Sequence, residues 1–232
     1  VAGVSWKPTA AEIADRYADA RDRVLTIAAD IDDTTAEAVV PATPRWKVRE
    51  LVAHLVGCPI DLAAHRFDGA GGDEWTQAQV DARQGRSIAS MLEEWRTAGD
   101  TIDAEIRAGN VPAPVTLDIL THEQDLRGAL GIESTPDPLA LRFLADGFGG
   151  RAVREADGAD LPRLRLSDGN GDWTVGAAGG TEAVASEFEW TRALAGRRSR
   201  AQVTGYDWSA DPAPYLDLLC PFGPLGDVDV YD

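Results

Sequence analysis

Trp46-Lys47-Val48-Arg49-Glu50-Leu51-Val52-Ala53-His54-Leu55-Val56-Gly57 reads as an amphipathic helix with a histidine at the edge of its apolar stripe. With His54 at 0° and about 100° per residue, Cys58 falls near 40°, Leu51 near 60°, Leu62 near 80° and Leu55 near 100°. His54 therefore borders the core instead of facing solvent. Asp61, at about 340°, and His65, at about 20°, lie on the same edge further along.

A second stretch repeats the arrangement: Asp118-Ile119-Leu120-Thr121-His122-Glu123-Gln124-Asp125-Leu126-Arg127-Gly128-Ala129-Leu130-Gly131. With Asp118 at 0°, His122 falls near 40°, Asp125 near 340°, and Ile119, Leu126 and Leu130 at about 80–120°. Asp118 and His122, four residues apart, can reach one point beside the apolar face.

Outward from these two segments the pattern predicts more helices. Thr9-Ala10-Ala11-Glu12 is a capping box, opening a helix to about Ile31. Residues 32–45 are connector, with Thr43-Pro44 as a second cap before a helix over 46–67. Gly69–Asp73 is a break, and 74–84 is a short helix or an ordered loop. Further helices are predicted over 87–108, closed by Gly109, over 115–130, ended by Gly131, and over 138–155. Four long amphipathic helices with workable connections imply a bundle. After Asp157 the character changes. Two alternating stretches flank Asp168-Gly169-Asn170-Gly171, a hairpin signal. A helix near 186–195, a strand at 201–204 and a short helix near 212–219 follow, then an acidic, loose tail. The expected organisation is α+β: a helical bundle over 1–156 and a small C-terminal α+β domain over 157–232.

The 232 residues can bury a real core, and an apolar share of 44% suits a globular chain. Lys plus Arg number 22 against 39 Asp plus Glu, a net charge of −17 that argues against nucleic acid and anionic membrane surfaces as partners. The first twelve residues show no leader pattern, and no run is long and apolar enough to span a bilayer. Cys58 and Cys220, far apart, do not make a disulfide framework, which fits a reducing cytoplasm.

One carboxylate and two imidazoles on facing helices, Asp118, His122 and His54, supply three N/O ligands. That is the usual protein share of a catalytic divalent site, with a position left for water or substrate. The bland alternative has both histidines satisfied by backbone carbonyls and Asp118 exposed or paired with an arginine. Cys58 is a soft ligand, a reactive thiol or a small buried hydrophobe. His65, roughly 16 Å along the helix from His54, does not share its ion and could line a channel. Asp61 orients a ligand or is a solvated or Arg-paired carboxylate. Asp125 accepts from a ligand imidazole or pins Arg127 or a loop. The basic run Arg197-Arg198-Ser199-Arg200 caps a helix end or recognises an anion. No dinucleotide, Walker, CxxC or nucleophile-elbow motif occurs. The tryptophans, without a repeating interval, are read as packing residues.

The Trp46–Gly57 and Asp118–Gly131 stretches resemble the two histidine signatures of the mycothiol-dependent maleylpyruvate isomerase family within the DinB-like superfamily. Glu189-Trp190-Thr191-Arg192-Ala193-Leu194-Ala195-Gly196-Arg197 is similar to its C-terminal helix. The resemblance implies a DinB-like four-helix bundle, a small α/β domain, and a divalent metal, usually zinc, held by His54, Asp118 and His122. Asp118 stands where the family has Glu, one methylene longer, so the ion could be drawn toward the helix, changed in identity or held less firmly. The resemblance further implies mycothiol or bacillithiol as cofactor or co-substrate, and a catalytic arginine whose nearest match is Arg197.

The expected activity is a metal-dependent thiol transferase or isomerase acting on a small electrophile. Two rivals stand beside it: a metal-dependent small-molecule hydrolase, and a non-catalytic metal- or ligand-binding protein. A small-molecule substrate and self-association are the expected partners.

Overall fold

The protein is described here from a computed structural model covering residues 8–134 and 136–231. The leader-free reading of the N-terminus rests largely on residues 1–7, outside the described residues, as does Asp232. Two compact units divide the chain, Pro8–Ser134 and 136–231.

The first unit is helical: α1 (Ala10–Ala28), α2 (Asp33–Ala36), α3 (Val48–Ala63), α4 (Asp73–Asp81), α5 (Ile88–Arg107) and α6 (Pro114–Leu130). The long helices α1, α3, α5 and α6 form the expected bundle, with α1 packed on α5 and α6, and α3 packed on α5, α4 and α6. The Thr9 hydroxyl accepts from Glu12 N and the Glu12 carboxylate accepts from Thr9 N, so the predicted capping box forms. Tyr17, Val24, Leu51, Val52, Val56, Trp95 and Ile102 fill the core. The Trp95 indole N–H donates to the Tyr17 hydroxyl at 3.1 Å inside it. On the flank of the core, Arg21 holds Asp103 in a two-pronged pair at 2.6 and 2.9 Å.

Several boundaries differ from the sequence reading. Thr43-Pro44 does not cap a helix. The chain turns there, bridges Val39 to Lys47, and enters α3 at Val48, where Glu50 accepts from Lys47 N at 2.8 Å. The supposed connector also contains the one-turn helix α2, capped by Asp32. At the other end α3 stops at Ala63, because His65 takes a left-handed conformation with φ of 58°. The segment offered as helix or loop forms α4.

The second unit begins with α7 (Pro138–Gly158) and continues β1 (Leu164–Ser167), β2 (Thr174–Val175), β3 (Thr181–Val184), α8 (Glu187–Leu194), α9 (Arg200–Thr204), β4 (Asp207–Trp208) and α10 (Ala213–Leu219). Its sheet has the order β2-β1-β3-β4, with β1–β3 parallel and the outer pairings antiparallel. The β1–β2 hairpin closes at the expected turn, where Asp168 accepts from Asn170 N and Gly171 N at 3.1 Å. Gly169 and Gly171, at φ of 77° and 89°, supply its left-handed positions. α7 packs against α8, α10, β1 and β2, and the second compact unit takes it in.

Two C-terminal expectations are corrected. Residues 201–204 are helical: Ser199 caps α9, accepting from Gln202 N, and this outweighs the strand preference of Val203 and Thr204. The acidic tail is not loose as far as Tyr231. Asp229 accepts from the Ser199 hydroxyl, and Gln202 bonds Val230 through both its N–H and its carbonyl sides. Among the described residues no helix is long and apolar enough to cross a membrane.

Candidate metal centre

α3 carries His54 in its middle, and α6, packed beside it, carries Asp118 one turn after its Pro114 start and His122 one turn further. One ligand atom from each lies within 4.8 Å of the others, a cluster that could hold a divalent metal. His54 and His122 are buried, at 4% and 7% exposure, while the Asp118 side chain keeps 28%. The imidazoles meet edge to face, with centroids 5.1 Å apart. Asp118 Oδ1 lies 3.3 Å from His54 Nε2 and 3.6 Å from His122 Nε2. Metal–ligand bonds of about 2.0–2.1 Å in a tetrahedron imply ligand–ligand spacings of about 3.4 Å, so the two contacts with Asp118 already have the right scale. The shorter aspartate therefore does reach both rings.

The opposite edge of each ring is occupied. His54 Nδ1 is 2.8 Å from Gln79 Oε1, and His122 Nδ1 is 2.8 Å from Asp125 Oδ2. A neutral imidazole that donates through Nδ1–H presents a lone pair at Nε2. Both Nε2 atoms would then point lone pairs at a carboxylate oxygen, a convergence that positive charge must stabilise. Charging both rings instead would set two cations side by side in a buried site. The donor set thus fits a divalent ion.

Other side chains complete the surroundings. Trp46 covers the pair, its ring centroid 5.1 Å from that of His54 and 5.8 Å from that of His122. Cys58, one turn after His54, is buried and directs its thiol at Asp118. Burial pushes that thiol well above its ordinary range, and the Asp118 charge adds to the shift, so it acts here as a hydrogen-bond donor. Asp61 accepts from Arg66 Nε at 3.0 Å and from Gln79 Nε2 at 3.3 Å. It therefore touches the centre through Gln79, not directly. Asp125, fully buried, takes the imidazole role offered for it, while Arg127 bonds Glu123 instead.

His65 is outside the centre, more than half exposed and 3.1 Å from Glu105 on α5. The basic run of the second unit is mostly committed to ion pairs. Arg198 is buried and bonds both oxygens of Glu189 at 2.8 Å, Arg200 pairs with Asp217, and Ser199 caps α9. Arg197 follows α8, with its backbone N–H bonded to Arg192 O at 2.7 Å.

Two contributors escaped the sequence reading. Gln79 lies on a helix with no spacing relationship to His54, so no local pattern announces it. Trp46 has no repeating interval with the other tryptophans, and its place just before α3 in the first histidine stretch is the one usable signal.

A helical bundle with a two-histidine, one-carboxylate cluster, followed by a mixed α+β unit, defines the class. Residues 17–126 match the family model described as the mycothiol maleylpyruvate isomerase N-terminal domain, a span that includes His54, Asp118 and His122. Two crystal structures share the fold. One is a variant of the mycothiol-dependent maleylpyruvate isomerase, at 17% identity and a TM-score of 0.58, covering 89% of this chain and 94% of that one. The other is the mycothiol-dependent maleylpyruvate isomerase itself, at 16% identity and a TM-score of 0.55 over the same shares. The family match thus lies within the first unit, and the two crystal structures add a likeness in fold. Among curated proteins none matches the chain.

Proposed function

We propose that this protein is a divalent-metal-dependent, cytoplasmic enzyme that uses a low-molecular-weight thiol such as mycothiol in an isomerase or S-transferase reaction on a small electrophile. The observation that carries the reading is the meeting of His54 Nε2, His122 Nε2 and Asp118 Oδ1, with both Nδ1 atoms engaged on their outer sides. Its likeness in fold to a mycothiol-dependent isomerase supports the thiol and the reaction class.

His54, His122 and Asp118 would hold the ion, with zinc, which takes two-histidine, one-carboxylate sets with an open fourth position, as the proposed metal. When bound, such an ion lowers the pKa of a thiol so that thiolate is present near neutral pH. Gln79 and Asp125 keep the ring protons on the outer nitrogens. Trp46 shields the imidazoles with an aromatic face, and the part-exposed Asp118 marks the accessible side of the cluster. In isomerisation the thiolate would add to a conjugated double bond, the resulting single bond would rotate, and the C–S bond would break to return the thiolate. In transfer the new C–S bond would remain, and the enolate left by the addition would take up a proton at carbon from solvent, replacing the one released by the thiol. Arg197 would neutralise a substrate carboxylate or developing oxyanion.

The test is elemental analysis of protein purified without a chelating tag, combined with turnover of a chromogenic electrophile with and without mycothiol. One equivalent of metal and thiol-dependent turnover are expected. Thiol-independent hydrolysis would replace this reading with the hydrolase one, and absence of metal after zinc, nickel and manganese are supplied would remove it.

A further inference from the structure

We infer that α4 is the positioning element of this centre, and that Gln79 selects the nitrogen of His54 that faces the ion; the inference rests on the metal reading above. An imidazole can carry its proton on either nitrogen, and only the deprotonated one can ligate. The carboxamide of Gln79 could in principle offer either its oxygen or its NH2 group to His54 Nδ1. Its outer neighbour decides. Gln79 Nε2 lies 3.3 Å from Asp61 Oδ2, and the other Asp61 oxygen accepts from Arg66. Turning the amide over would press its carbonyl against that carboxylate. The carbonyl must therefore face inward, 2.8 Å from His54 Nδ1, and it can only accept. The ring proton is drawn to Nδ1, and Nε2 is left as a donor atom toward Asp118.

The backbone of α4 is set for this contact. Gln79 is almost fully buried at 1% exposure. Its carbonyl accepts from Arg83 Nη1 at 3.1 Å, and Arg83 is anchored by Glu94 on α5 at 2.6 and 3.1 Å. Gly57, three residues after His54, provides the space. A Cβ there would stand 2.6 Å from Gln79 Cβ and 2.7 Å from Arg83 Nη1, distances no real side chain tolerates. The relay Arg66–Asp61–Gln79–His54 does for one imidazole what Asp125 does for the other, with a neutral amide in place of a carboxylate.

Two measurements test this: the tautomer of His54 by long-range 15N–1H NMR on metal-free protein, and zinc affinity by competition with a chelator. In the wild type His54 is expected as the Nδ1–H form. Gln79→Ala is expected to populate the Nε2–H form and to weaken zinc binding by about 10- to 100-fold. The double change Gln79→Glu with Asp61→Asn keeps an acceptor toward His54 and a donor behind it, and is expected to restore both readouts. Should Gln79→Ala fail to fold by circular dichroism, Asp61→Ala, at a partly exposed position, carries the test through loss of the amide's outer anchor. A folded Gln79→Ala or Asp61→Ala protein with unchanged tautomer and with zinc affinity within about twofold of wild type would overturn the inference. If the wild type binds no zinc, the metal reading falls by itself; the tautomer then decides, and an Nε2–H His54 in the wild type overturns the role given to Gln79.

Discussion

His122 and Asp125 share one turn of α6, and their side chains meet at 2.8 Å between Nδ1 and Oδ2, with the carboxylate fully buried. The contact has the form of the carboxylate–histidine pairs that orient metal ligands and raise their basicity. Asp125→Asn removes the charge while keeping an oxygen acceptor. It is expected to weaken zinc binding by about tenfold, and Asp125→Ala by up to about 100-fold. Chelator competition checks both; affinity equal to wild type in Asp125→Ala would separate this pair from the metal centre.

Asp118 is the sole carboxylate of the proposed ligand set and bridges the two rings. A metal that binds only the folded protein raises stability by about 2.7 kcal/mol at 100 times its Kd. Zinc is therefore expected to raise the Tm of the wild type, and not that of Asp118→Ala or His54→Ala. Asp118→Glu, one methylene longer with the same carboxylate, is expected to keep one equivalent of metal. Stoichiometric metal in both alanine variants would reject the ligand set.

Trp46 lies within 6 Å, centre to centre, of both imidazoles. A paramagnetic ion such as Co2+ or Cu2+ held there should quench its fluorescence. Titration of the wild type is expected to remove part of the tryptophan emission with a one-site profile, and Trp46→Phe to abolish that component. Equal quenching in the variant would place the ion elsewhere.

Gly57 is tested by adding one methyl group. Gly57→Ala presses on Gln79 and Arg83, and overpacking of this kind costs about 1–3 kcal/mol. A lower Tm in metal-free protein, together with weaker zinc binding, is expected. Unchanged Tm would show that α4 moves aside freely.

Asp146, in the second unit, gives a pH-dependent prediction. Burial raises its pKa above the ordinary 3.8, against the opposing effects of the Trp173 N–H bonded to it at 3.0 Å and of Arg142. Between 3.8 and its folded value the folded chain holds a proton that the unfolded chain has released. The stability this contributes is fully present below the unfolded pKa and is lost as pH rises through the folded one. Asp146→Asn stays neutral and keeps an acceptor for Trp173. The Tm of the variant minus that of the wild type is expected to become more positive from pH 4 to pH 7; a flat or falling difference would contradict the assignment.

Much of this architecture is written locally. The apolar periodicity around His54 and around His122 placed α3 and α6 and put both histidines on core-facing edges, because helical side-chain direction follows from spacing alone. Thr9 with Glu12, and Gly131 at φ of 65°, marked helix ends through their own backbone requirements. Errors arose where a distant partner outweighed local preference. Residues 201–204 became helix through Ser199 and Gln202, and the tail was tied down by the same two residues.

The centre divides along the same line. Spacing along each helix was enough to nominate two imidazoles and a carboxylate, since a helix puts residues four apart on one side whatever surrounds it. That α3 and α6 would lie close enough to bring those atoms within 4.8 Å was decided by packing of the bundle. Gln79 was decided there too. Its contact with His54 joins α3, which also carries Gly57 and Asp61, to α4, held in place through Arg83 by Glu94 on α5, and no periodicity along one helix encodes how three helices meet.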